Sequence, residues 1–142
     1  MQFMTTPKIV AHTLIKNESC WIWFALKSVL DLVDEILVWD TGSTDNTLDI
    51  VQSITSPKIK LRSIGSVDSV GHTQARQKML DATDSDWILI LDGDEIWYHN
   101  SLVSCIDASM HRSHLAAIVS PFINLVGDIY HFQTPQNSHY QI

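Results

Sequence analysis

Five apolar residues, Trp87 to Leu91, run directly into three carboxylates, Asp92, Asp94 and Glu95, with Gly93 between the first two. An apolar run of this length reads as a buried strand. Carboxylates delivered together to its end repel one another, so a cation belongs beside them. Their oxygens are hard donors that suit Mg²⁺ or Mn²⁺, and such an ion commonly completes its shell with substrate phosphates. The plain alternative is a strand that ends in a solvated acidic turn.

Three other places present polar groups where predicted strands end or helices begin: Lys16 to Glu18, Asp40 to Ser43, and Arg76. In an open α/β sheet the carboxyl ends of the strands share one edge, where ligands bind. Nucleotide recognition is the chemistry that suits the set. The Asp40 carboxylate can accept the imide N–H of a uracil-type base, or instead close its own loop as an Asx-turn. Arg76 can donate to a base carbonyl or a phosphate oxygen, or pair on the surface with Asp81 or Asp84. Asp92 can hold ribose hydroxyls and Asp94 a metal on a diphosphate, with Gly93 allowing a close backbone turn. Lys16 and Glu18 can also be surface residues flanking a helix cap.

The elements that must position these groups follow from patterning. Lys8 to Ile15 is apolar and β-branched, a first strand. Asn17 is placed to cap a helix whose apolar stripe is Ile22, Ala25, Leu26, Val29, Leu30 and Val33. Glu35 to Trp39 is a second strand, followed by the polar loop Asp40 to Asn46. Ser43 or Thr44 can cap a second helix with Leu48, Val51 and Ile54 inward. Pro57 bars that helix from continuing. Lys58 to Ile64 alternates as an edge strand, Gly65 to Gly71 is a loop, and His72 to Ala82 is a third helix carrying Arg76. After the Trp87–Leu91 strand come a short helix over Ser101 to Met110 and strands over Leu115 to Asn124 and Ile129 to Phe132. This alternation predicts one α/β domain over residues 1–142, a three-layer α/β/α sandwich on a mainly parallel, Rossmann-like sheet.

Bulk properties exclude some functions. A net charge of −7 disfavours a general nucleic-acid or anionic-membrane surface. It does not disfavour phosphate ligands, because a divalent ion supplies positive charge locally. No apolar stretch approaches the roughly 20 residues that span a bilayer. The first residues lack the pattern of a signal peptide, so a reduced, cytoplasmic setting is the expectation. Cys20 and Cys105 fall in predicted helices, as buried thiols rather than a disulfide. The five tryptophans are read mainly as core, with Trp97 and Tyr98 as an outside choice for facing a sugar.

The segments Leu14 to Glu18, Asp40 to Thr47, Ala75-Arg76 and Leu91 to Glu95 resemble, in order and spacing, the family 2 glycosyltransferases of GT-A fold. The likeness looks closest to a bacterial branch with a Lys-Asn-Glu motif after the first strand. It is strong over roughly residues 8–95. The resemblance implies transfer of a sugar from a nucleotide-diphosphate sugar, UDP-linked by preference, to a glycan, lipid or protein acceptor with inversion. Asp40 and Arg76 match base-contacting positions, and Leu14 and Lys16 match strand-end positions lining the base. Asp92 and Asp94 match the Asp-x-Asp pair, with Asp94 the better metal contact. Mn²⁺ or Mg²⁺ would act as a Lewis acid on the departing diphosphate.

The family's general base is an acidic residue well beyond that pair. After Asp107 the only carboxylate is Asp128, on a predicted strand turn, and it is not assigned. The expectation is a donor-binding part without acceptor half or base. His131 and His139 are read as surface histidines rather than metal ligands.

A haloacid-dehalogenase-like phosphotransferase is the rival enzyme, with Asp92 as nucleophile, Asp94 beside it and Ser120 on phosphate. It would want a later lysine, and no Lys or Arg follows Arg112. A sugar nucleotidyltransferase would want a glycine-rich loop after the first strand. A non-catalytic nucleotide-binding module on the same scaffold is the remaining alternative.

Overall fold

The structure, a computed structural model, describes residues 6–111 and 114–133. Its elements are β1 (Ile9–Ile15), α1 (Ile22–Val29), β2 (Glu35–Asp40), α2 (Thr47–Ser53), β3 (Ile59–Ser63), α3 (Ser69–Asp81), β4 (Trp87–Ile90), α4 (His99–His111), β5 (Leu125–Val126) and β6 (Asp128–Phe132). Four strands form one sheet in the order β3-β2-β1-β4, and every pairing is parallel. The chain winds outward from β1 through β2 to β3, then returns to β1's other side as β4. The order therefore reverses between β1 and β4, the place where open sheets form a ligand crevice.

Side chains alternate across the sheet. Ile9, Ala11 and Ile15 of β1 and Ile36 and Val38 of β2 join the main core with α1, α2 and Leu102 of α4. Leu14 and Trp39 point to the other face and pack on Ala75 and Met79 of α3. The predicted three layers are therefore α1, α2 and α4, then the sheet, then α3. All seven residues of β1 are buried, as a central parallel strand covered on both faces requires.

Several local expectations are corrected. Asn17 caps no helix: α1 begins at Ile22, its N-cap position is Trp21, and no side chain caps it. Asn17 instead takes a left-handed turn at φ 58°, which asparagine tolerates better than most residues. Ser43 and Thr44 do not cap α2, whose N-cap position is Asn46. The third helix starts at Ser69, because the Asp68 carboxylate accepts the Gly71 N–H at 2.7 Å and caps the first turn.

No strand forms over Leu115 to Asn124. Its apolar residues have no covering layer among the described residues: Val119 is 73% and Phe122 63% exposed. β5 and β6 form a separate antiparallel hairpin, turned at Gly127. Cys20 is exposed in the turn before α1 rather than buried in a helix; both cysteines are free. Trp21 and Trp23 are 49% and 44% exposed and are not core. No described helix is long and apolar enough to cross a membrane.

Candidate functional site

The carboxyl ends of β1 and β2 carry two loops that are bonded to each other rung by rung. The Asn17 N–H donates to Ser43 Oγ at 2.9 Å, and the Thr44 N–H donates to Asn17 Oδ1 at 2.7 Å. The Glu18 N–H donates to Thr47 Oγ1 at 2.8 Å. The Ser19 N–H donates to Asp45 Oδ2 at 3.2 Å, and the Thr47 hydroxyl and N–H both donate to Asp45 Oδ1. These bonds hold the Asp45 carboxyl down at about 2, the Thr47 hydroxyl being the largest cause. Most of the Asp40–Thr47 motif thus serves to fasten the Lys16–Glu18 loop.

Asp40 closes its own turn, the alternative read from the sequence. Its carboxylate accepts the Gly42 N–H at 3.1 Å, the Ser43 N–H at 3.1 Å and the Ser63 hydroxyl at 3.3 Å. The side chain is 1% exposed. An ionised carboxylate offers about four acceptor sites, so these donors leave little capacity for a ligand. Gly42 is required beside it: its φ is +88°, and an added Cβ would lie 3.0 Å from the Ser66 nitrogen.

A cleft of about 370 Å³ opens between these loops and the start of α3. Leu14, Lys16 and Glu18 line one side, and Thr41 sits with them. Val67, Asp68, Ser69 and His72 form the opposite wall. This wall was missed because Gly65 to Gly71 reads simply as a loop. The Asp68-Ser69 step before Gly71 is a helix-start signal and could have exposed it.

Arg76 and Asp92 sit beside the cleft as a pair, with Nη2 donating to Asp92 Oδ1 at 2.8 Å. Neither Asp81 nor Asp84 takes that role; Asp81 accepts from Gln77 instead. Arg76 Nη1 is buried without a hydrogen-bond partner among the described residues. The Asp92 N–H reaches back to Glu95 Oε2 at 3.3 Å, which tightens the acidic turn.

Gly93 packs against Glu18 and Ile15, close enough for the Asp94 charge to act on the Glu18 carboxyl. An added Cβ on Gly93 would stand 2.7 Å from Glu18 Cγ and 3.1 Å from Ile15 Cγ2. Burial raises the Glu18 carboxyl above its ordinary range, and the charges of Asp94, Asp45 and Asp92 add to that rise. The edge is therefore electronegative with one arginine in it. Among the described residues no group of three or more His, Cys, Asp or Glu could hold a metal unaided. The expected arrangement was smaller: two oxygen donors, Asp94 and Asp92, with phosphates supplying the rest, and the exposed acidic turn fits it.

The late residues do not join this edge. Asp128 accepts the His131 Nδ1–H at 2.7 Å within the hairpin, and that bond is the largest cause lowering its pKa. His139 lies outside the described residues. Trp97 packs against the main core, and Tyr98 is 71% exposed. Ser120 lies in the irregular 115–124 segment, and Arg76 occupies one Asp92 oxygen. Neither favours the phosphotransferase reading.

Comparison with known proteins supplies the family. The profile described as "Glycosyl transferase family 2" matches residues 12–140. The chain is 28% identical over 120 residues to the SPbeta prophage-derived glycosyltransferase SunS of Bacillus subtilis, covering 83% of this chain and 28% of that protein. It is 34% identical over 99 residues to the dTDP-rhamnosyl transferase RfbG of Shigella flexneri, covering 64% of this chain and 34% of that protein. Among solved structures it resembles glucosyl-3-phosphoglycerate synthase from Mycobacterium tuberculosis in complex with UDP. There the TM-score is 0.54 at 26% identity, over 69% of this chain and 38% of that one. The chain thus spans about a third of each of these proteins.

Proposed function

From the premise that this chain belongs to glycosyl transferase family 2, we propose that it forms the donor-binding part of a glycosyltransferase. The donor is a nucleoside-diphosphate sugar with a uracil-type base, UDP or dTDP. The sugar passes with inversion to a hydroxyl of a glycan, lipid or protein acceptor. One observation carries the reading: the ends of β1, β2 and β4 bring Lys16, Glu18, Asp40, Asp92 and Asp94 to one edge, where Arg76 bridges to Asp92 at 2.8 Å. The UDP complex of the similar synthase and the dTDP-sugar relative support the donor class.

The roles divide by position. Leu14 and Thr41 flank the base, and Asp40 shapes the loop beneath it while offering its last acceptor site to the imide N–H. Arg76 keeps Nη1 for a base carbonyl or phosphate oxygen and steadies Asp92, which faces the ribose hydroxyls. Lys16, on the rim, offsets diphosphate charge. Asp94, with Asp92 beside it, would hold Mn²⁺ or Mg²⁺, which supplies Lewis-acid stabilisation of the leaving diphosphate when bound. Glu18 turns its repulsion for Asp94 into attraction for the same ion.

Calorimetric titration of UDP with and without Mn²⁺ tests this. We expect heat and a raised melting temperature in both cases, larger with Mn²⁺. Asp94→Asn should remove the Mn²⁺ increment and keep the metal-free binding. Absence of heat and of any thermal shift under both conditions rejects the reading.

A further inference from the structure

A second cleft, of about 300 Å³, lies on the α3 face of the sheet and shares only Val67 with the first. Its character is different. Arg62 of β3 and Lys78 of α3 look onto a floor that includes Trp39, Ser63 and Gln74. The Arg62 guanidinium carbon lies 4.9 Å from the centroid of the Trp39 ring. Stacking orients the guanidinium plane while its N–H edges stay open for a planar or tetrahedral oxyanion.

Among the described residues, neither Arg62 nor Lys78 has a carboxylate partner; the arginine that does is Arg76. Lys58, by contrast, is spent on the Leu30 and Val33 carbonyls at 3.0 and 2.8 Å. Two uncommitted cations in one cleft are notable in a chain of net charge −7. Both line the same cleft, so one doubly charged group placed there can engage both. A phosphate monoester carries about −1.5 to −2 charges near neutral pH and three acceptor oxygens. Trp39 is buried beneath Arg62, and the half-buried Ile64 and Val67 offer apolar surface to whatever bears the phosphate.

We propose that this second cleft binds a small phosphate monoester, with Arg62 and Lys78 on the phosphoryl oxygens and Ile64 and Val67 against the organic part. The inference does not depend on the donor reading, which concerns the other cleft.

The test is a ¹H–¹⁵N NMR titration of the 142-residue chain with phenyl phosphate, inorganic phosphate and UDP in separate arms. Phenyl phosphate should shift the Trp39 indole and the Arg62, Ser63 and Lys78 signals, with a Kd below about 1 mM. Inorganic phosphate should shift the same signals more weakly. Arg62→Ala and Lys78→Gln should each weaken phenyl phosphate roughly tenfold, and Arg62→Lys should weaken it less. Both side chains are surface groups, and retained signal dispersion checks that each variant is folded. The proposal is overturned if no saturable shift appears by about 10 mM, or if both charge-removing variants bind as well as the parent. It is also overturned if inorganic phosphate binds as tightly as the monoester, or if UDP shifts the Arg62 and Lys78 signals, making the cleft part of the donor site.

Discussion

At the scale of single residues, the Arg76–Asp92 pair separates stability from binding. Asp92 is 54% exposed and Arg76 26%. Pairs this open to water contribute about 1 kcal/mol or less to folding. Arg76→Ala should therefore leave the melting temperature nearly unchanged while weakening UDP roughly tenfold, read by thermal melts and calorimetry on the same sample. Glu18 behaves in the opposite way. Its carboxyl binds its proton more tightly in the folded chain than in the unfolded one, because burial and the Asp94 charge disfavour ionisation. Its contribution to stability is therefore greatest below the ordinary value of 4.5 and falls as pH rises through the window above it. Glu18→Gln should raise the melting temperature at about pH 7 and leave it nearly unchanged at about pH 4. A variant no more stable than the parent at the higher pH would contradict this.

At the scale of elements, the decisive contacts are at helix starts and between loops. The Asp68 cap is held at 2.7 Å, and losing such a cap costs about 1 kcal/mol. Asp68→Ala should lower the stability of the chain by that amount in denaturant melts. It should also loosen the wall of the first cleft and reduce UDP affinity. The four strands of the sheet were legible because each has a clear apolar run or alternation, and their parallel arrangement followed from alternation with helices; the two-residue β5 carries too short a pattern to read. The carboxylates after Leu91 were legible because an apolar run that stops in acid has few structural uses. The role of Asn17 was not, since capping and left-handed turning draw on the same short amide side chain. Asp40 was ambiguous for a similar reason: a carboxylate that can meet a base can also meet two backbone N–H groups of its own loop. The 115–124 segment misled because β-branched apolar residues imply a strand only where another layer covers them.

At the scale of the molecule, stability among the described residues is concentrated in the sheet and thin from 114 to 133. Native-state hydrogen exchange should find, among those residues, the slowest amides in β1 and β2 and the fastest from 114 to 133, where Tyr130 is 80% exposed. Uniform protection across both regions would refute that gradient. β1 pairs first with a strand close behind it in sequence and then with one that begins at Trp87. A ribosome adding roughly 5–20 residues per second leaves that second flank bare for several seconds. Throughout that interval the nascent chain offers any passing extended peptide a largely apolar strand, interrupted only by His12 and Thr13, with unfilled hydrogen-bonding valence. Factors that shelter emerging polypeptides would have the greatest influence on its yield there, and faster elongation up to β4 would lessen that dependence.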